Sequence, residues 1–79
     1  MNYAQVAAVI IREVVLTGIS TYDIEWRHKR SLQRALHREF RRQRIGVKLR
    51  SGSLKTKYVV DEFGSYLLVQ IIGPNETRR

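Results

Sequence analysis

Arg34, His37, Arg38, Arg41 and Arg44 recur at intervals of three and four residues, the spacing that places side chains on one face of an α-helix. The chemistry open to such a row is the binding of anions. A guanidinium presents a planar fork of N–H donors that matches the oxygens of a phosphate, or the O6 and N7 acceptors of guanine. The row belongs to a larger excess, because ten of the chain's fifteen Lys and Arg residues lie between Arg27 and Arg50, where Glu39 is the only acid. Charges so concentrated repel one another on a small domain, and a polyanion such as a phosphate backbone offsets that repulsion. The plainer reading of the same run is a solvated basic face with no specific ligand.

Positioning this row requires a helix whose other side is apolar. Leu32, Leu36 and Phe40 supply that side, with the aliphatic part of Gln43 beside them, and they predict a helix over residues 32–44 with Ser31 as N-cap and Gly46 as stop. Projected backwards, the apolar stripe runs through Lys29, so a continuous helix would bury a lysine. The periodicity therefore predicts a break near residues 28–30. Ahead of it, Ser20, Thr21 and Asp23 are competent N-caps for a short helix ending near Trp26 or His28. A first helix spans Tyr3 to Leu16 and stops at Thr17 and Gly18. Its apolar residues Val6, Ala7, Ile10, Ile11, Val14 and Val15 cover an arc wider than one packed face requires, which predicts a central helix or a dimer surface.

After Gly46 the apolar period shortens to two. Residues 45–50 read as a strand, Ser51, Gly52 and Ser53 as a turn, and Leu54 to Val60 as the partner strand of a hairpin. A second turn at residues 61–64 leads to a third strand, Tyr66 to Ile72, and residues 74–79 read as a flexible tail. The expected fold class is α+β: three helices followed by a two- to three-stranded antiparallel sheet, as a single domain over residues 1–73.

Composition narrows the function. The 79 residues carry a formal net charge of +8 and are 43% hydrophobic, enough for a small core but not for a second domain. A core of this size is marginal without disulfides or metal, and with no cysteine a homodimer through the first helix or last strand is the expected reinforcement. The longest apolar stretches are too short or too interrupted to cross a bilayer, and no signal-peptide pattern opens the chain, so a cytoplasmic protein with no membrane partner is expected. His28 and His37 lie nine apart without cysteine, which gives no metal site. No paired carboxylates, activated nucleophile or glycine-rich phosphate cradle points to catalysis, so neither enzyme activity nor a cofactor is expected. Trp26 reads as a structural anchor, and Tyr58 and Tyr66 as a cross-strand pair.

The order of elements, with Ile19-Ser20-Thr21-Tyr22-Asp23-Ile24 opening a short helix, Ser31-Leu32-Gln33-Arg34-Ala35-Leu36 opening the next, and a hairpin behind, resembles a winged helix-turn-helix domain. The resemblance covers roughly Tyr3 to Ile72. It implies a recognition helix over about residues 31–44 in the major groove of duplex DNA and a wing at about residues 50–55 on neighbouring phosphates. Carried over by position, Ser31, Gln33, Arg34, His37, Arg38 and Arg41 become recognition-helix contacts, with Ser31 and Gln33 the candidates for base edges. Lys48, Arg50, Ser51, Ser53, Lys55 and Lys57 become wing contacts. Arg27, Lys29, Arg30 and Arg44 complete the nucleic-acid-binding set. This sequence departs from the family in its wholly basic inter-helix turn, Arg27-His28-Lys29-Arg30, and in its long third strand. The implied function is that of a small phage- or plasmid-type transcription regulator. The alternative is an inhibitor or antirepressor that docks the same basic face on an acidic surface of a host regulator or RNA polymerase. Structured RNA is a third candidate ligand.

Overall fold

The computed structural model describes residues 1–45 and 52–73 of the chain. Its elements are α1 (Tyr3–Thr17), β1 (Ile19–Asp23), α2 (Trp26–Arg42), β2 (Ser53–Asp61) and β3 (Gly64–Ile72). The fold is α+β, with two helices on one face of an antiparallel sheet of order β1-β3-β2.

Helix α1 begins where the Asn2 side chain accepts the Gln5 N–H at 3.1 Å. It ends at Gly18, whose φ of 87° is the left-handed cap conformation and whose N–H reaches the Val14 carbonyl at 2.8 Å. Ala7, Ile10, Ile11 and Val14 are buried at the 3–4 spacing of a single stripe. Of the rest of the wide apolar arc, Val6 is half-buried against the core and Val15 is exposed, as are the neighbouring Val9 and Leu16, the latter at 79%. Within this chain α1 is packed on one side rather than central.

Residues 19–23 form a strand where the N-cap signals predict a short second helix. The segment alternates, with Ser20 and Tyr22 facing the helices while Ile19, Thr21 and Asp23 face outward, and its Ile, Thr and Tyr suit a pleated surface. Pairing with β3 satisfies the backbone groups along one of its edges, a gain that no local cap residue reveals. The pairing runs past the strand end, as the Ile24 N–H donates to the Ser65 carbonyl at 3.2 Å and the Ser65 hydroxyl donates to the Ile24 carbonyl at 2.7 Å. Two helices are therefore described where three are expected.

The expected break at residues 28–30 is also absent, since α2 is continuous from Trp26 to Arg42. Lys29 escapes burial by directing its ammonium over the Trp26 ring, 4.4 Å from the centroid, with Tyr58 behind at 5.7 Å. A flexible stem and a cation–π contact remove the penalty that the helical projection assigns to it. Ser31 lies inside this helix, exposed, and caps nothing; Glu25 holds the N-cap position without a side-chain cap bond.

Strands β2 and β3 form a hairpin with Asp61 opposite Gly64. The Asp61 carboxylate accepts the Phe63 N–H at 2.9 Å and stiffens the two-residue turn. The expected strand Leu54 to Val60 lies within β2, and Tyr66 to Ile72 within β3. Of the expected strand at 45–50, residues 46–50 lie outside the described residues, while Ile45 is buried in the core. The tail at 74–79 is likewise outside them. β3 is hydrogen-bonded along both edges, so a second chain can meet it only through its outward face, not by adding a strand to it.

The core lies between the layers. Leu32, Leu36 and Phe40 of α2 meet the α1 stripe, and Leu54, Leu67 and Val69 rise from the sheet beneath them. The helices run in the same direction: Tyr3 meets His28 at one end, where the hydroxyl and Nδ1 share a 2.7 Å hydrogen bond, and Leu16 lies beside Arg42 and Gln43 at the other. Neither helix, among the described residues, is long and apolar enough to cross a membrane.

Candidate nucleic-acid interface

Because Leu32, Leu36 and Phe40 anchor α2 to the core, its opposite side is committed to solvent. Arg30, Gln33, Arg34, His37, Arg38 and Arg41 lie on that side and, with Thr56 of β2, line an open cleft of about 430 Å³. The Gln33 amide donates to the Thr56 hydroxyl at 3.1 Å and ties the helix to the sheet at the cleft wall. Among the described residues no acid lines this cleft. Among the described residues Arg30, Arg34, Arg38 and Arg41 form no ion pair, so their charge is left for a ligand or for counterions.

The acids near α2 are turned elsewhere. Glu39 projects towards the end of α1 and holds Arg42 through Nε at 3.1 Å and Nη2 at 2.5 Å, with the Gln43 amide as a further donor. The hydrogen bonds from Arg42 and Gln43 hold the Glu39 carboxyl below its ordinary pKa, and the same pairing raises that of Arg42. Glu25 pairs with Arg27 at 3.0 Å. Each carboxylate neutralises an arginine outside the cleft and leaves the cleft's own field intact.

The structure gathers part of the predicted set. Arg30, Gln33, Arg34, His37, Arg38 and Arg41 come together. Arg27 is exposed but engaged by Glu25, and Ser31 is exposed outside the cleft lining. Arg44 follows the end of α2 with a φ of 56°, so it leaves the helical row that its spacing predicts. Ser53, Lys55 and Lys57 alternate with Leu54 and Thr56 and occupy the opposite face of β2, away from the cleft. The hairpin tip is Glu62 and Phe63, so the turn predicted as a wing at 50–55 is not the described hairpin turn. Lys48, Arg50 and Ser51 lie outside the described residues.

Three residues of this surface escape sequence reasoning. Thr56 enters the cleft only through the packing of β2 under α2. Trp26 is 68% exposed rather than a core anchor, and it meets the Tyr58 ring edge-on, with centroids 5.6 Å apart and planes at 69°. Tyr58 pairs with Leu67 across the sheet and turns to Trp26 rather than Tyr66. The available signal was the four-residue step from Trp26 to Arg30, visible only if the helix is extended back through Lys29.

Comparison with protein families, curated proteins and solved structures found no match to this chain.

Proposed function

We propose that the protein binds duplex DNA through the outward face of α2 and acts as a small regulator of transcription. The supporting observation is the arginine-lined cleft, which among the described residues holds no acid and whose four guanidinium groups have no ion-pair partner among them, while Glu25 and Glu39 face away. A helix anchored by its apolar side and bare on its basic side has the shape to enter a major groove roughly 12 Å wide. A helix followed by a hairpin retains part of the resemblance to winged helix-turn-helix domains, with β1 in place of their short second helix. Arginines outnumber residues suited to reading other bases, and Gln33 spends its amide on Thr56, so affinity rests mainly on phosphate contacts.

Titration of duplex DNA at several salt concentrations tests this reading. Each phosphate neutralised contributes about −0.9 to the slope of log K against log salt, so four arginine contacts give about −3.6. Binding no tighter than about millimolar at low salt, or independent of salt, would refute it.

The second reading, an acidic protein surface as ligand, is favoured by the apolar side chains that α1 leaves beside Arg12, notably Val15 and Leu16. A stoichiometric protein partner retained after nuclease treatment of a lysate, together with absence of DNA binding by the purified chain, would support it.

A further inference from the structure

The chain has a single tryptophan, and it stands in solvent at the amino-terminal end of the basic face. Trp26 precedes Arg30 by four residues on α2, hence just over one turn, about 6 Å, along the same face. Tyr58 follows Thr56 by two residues on the same face of β2. Helix and strand thus both carry the cleft onward from Arg30 and Thr56 to an aromatic pair, and Lys29 rests its ammonium over the two rings. Among the described residues Lys29 has no carboxylate partner, and Glu25, the nearest acid in sequence, is engaged by Arg27. Tyr58 braces the indole by its edge, which fixes the ring without covering both of its faces. A fixed, exposed aromatic surface at the end of an arginine-lined track suits a nucleobase that has left the duplex, because any base presents a π face and its phosphate meets a free cation.

Building on the proposed DNA-binding role, we propose that Trp26, Tyr58 and Lys29 form a stacking site for an unpaired base at the end of the bound duplex, so that the preferred ligand is a junction of double- and single-stranded DNA. The base stacks on Trp26, Lys29 exchanges its ring contact for the adjoining phosphate, and the arginines of α2 hold the duplex.

The test compares three ligands: a short blunt duplex, the same duplex with a thymine overhang, and the same duplex with an abasic overhang of equal charge. The thymine overhang is expected to bind at least about fivefold tighter than the abasic one, the lower end of what stacking contributes per base. It also quenches the emission of Trp26, which reports on this site alone because there is no other tryptophan. Trp26→Ala removes the advantage of the thymine overhang over the abasic one, and Trp26→Phe restores part of it, with circular dichroism confirming the fold of each. Equal affinity for the two overhangs with unchanged emission overturns the stacking site while salt-dependent binding of the blunt duplex upholds the role of α2. Quenching and tight binding by the thymine overhang without any binding of blunt duplex supports the stacking site and refutes the duplex reading. Absence of binding by all three overturns both.

Discussion

The Gln33 side-chain amide donates to the Thr56 hydroxyl at 3.1 Å, across twenty-three residues of sequence, and is the side-chain hydrogen bond that joins α2 to the edge strand β2 among the described residues. It sets the wall of the basic cleft. Thr56→Val keeps the shape of the side chain and removes the acceptor, leaving a half-buried amide to find water. The expected loss is about 0.5–1.5 kcal/mol in a denaturant melt. Gln33→Ala combined with Thr56→Val should cost less than the sum of the two, and strict additivity in the double-mutant cycle would show that the bond contributes nothing.

Arg34 and Leu36 are two residues apart on α2 and face opposite ways. Arg34→Ala is expected to weaken duplex DNA binding and make the salt slope shallower by about 0.9, with the melting curve unchanged. Leu36→Ala empties a fully buried position and is expected to cost about 2–5 kcal/mol of stability. Equal stability losses for the two variants would show that the functional assignment of the two faces is wrong.

Glu39 carries a pH dependence whose sign follows from its pairing with Arg42. Its carboxyl titrates below the ordinary value of 4.5 in the folded chain, so below that pH the unfolded chain binds more protons. The contribution of the pair is present above about pH 4.5 and is lost as the pH falls through the lower folded value. Glu39→Gln should therefore lower the melting temperature slightly at neutral pH, where the pair contributes, and converge with the parent chain in acid, so that the acid limb flattens; the effect is small because the arginine is exposed. An unaltered acid limb would contradict the pairing.

Gly18 ends α1 with a φ of 87°, and a Cβ placed there meets nothing within 4 Å. Gly18→Ala therefore isolates backbone strain from steric clash. A destabilisation of about 1 kcal/mol is expected, read from a denaturant melt. No loss would mean that the chain leaves α1 by another route.

Much of the basic face is legible in the sequence because helical periodicity is local: Leu32, Leu36 and Phe40 define an inside, and Arg34, His37, Arg38 and Arg41 then have only the outside, whereas Arg30 joins them only because α2 runs on through Lys29. The strands β2 and β3 are legible for the same reason, since alternation and the Asp61–Gly64 turn are short-range signals. Residues 19–23 are not, because Ser20, Thr21 and Asp23 satisfy the local rules for a helix cap, and only β3, more than forty residues away, offers the hydrogen bonds that make them a strand. Lys29 misleads in a related way. Its burial cost in a continuous helix is real only if the space beside it is apolar core, and tertiary packing places Trp26 and Tyr58 there instead. Sequence alone thus determined which side of α2 is charged, a matter of nearest turns. Tertiary structure alone decided that Thr56 and the Trp26–Tyr58 pair belong to the same surface, because their proximity depends on how a strand and a helix distant in sequence pack across the core.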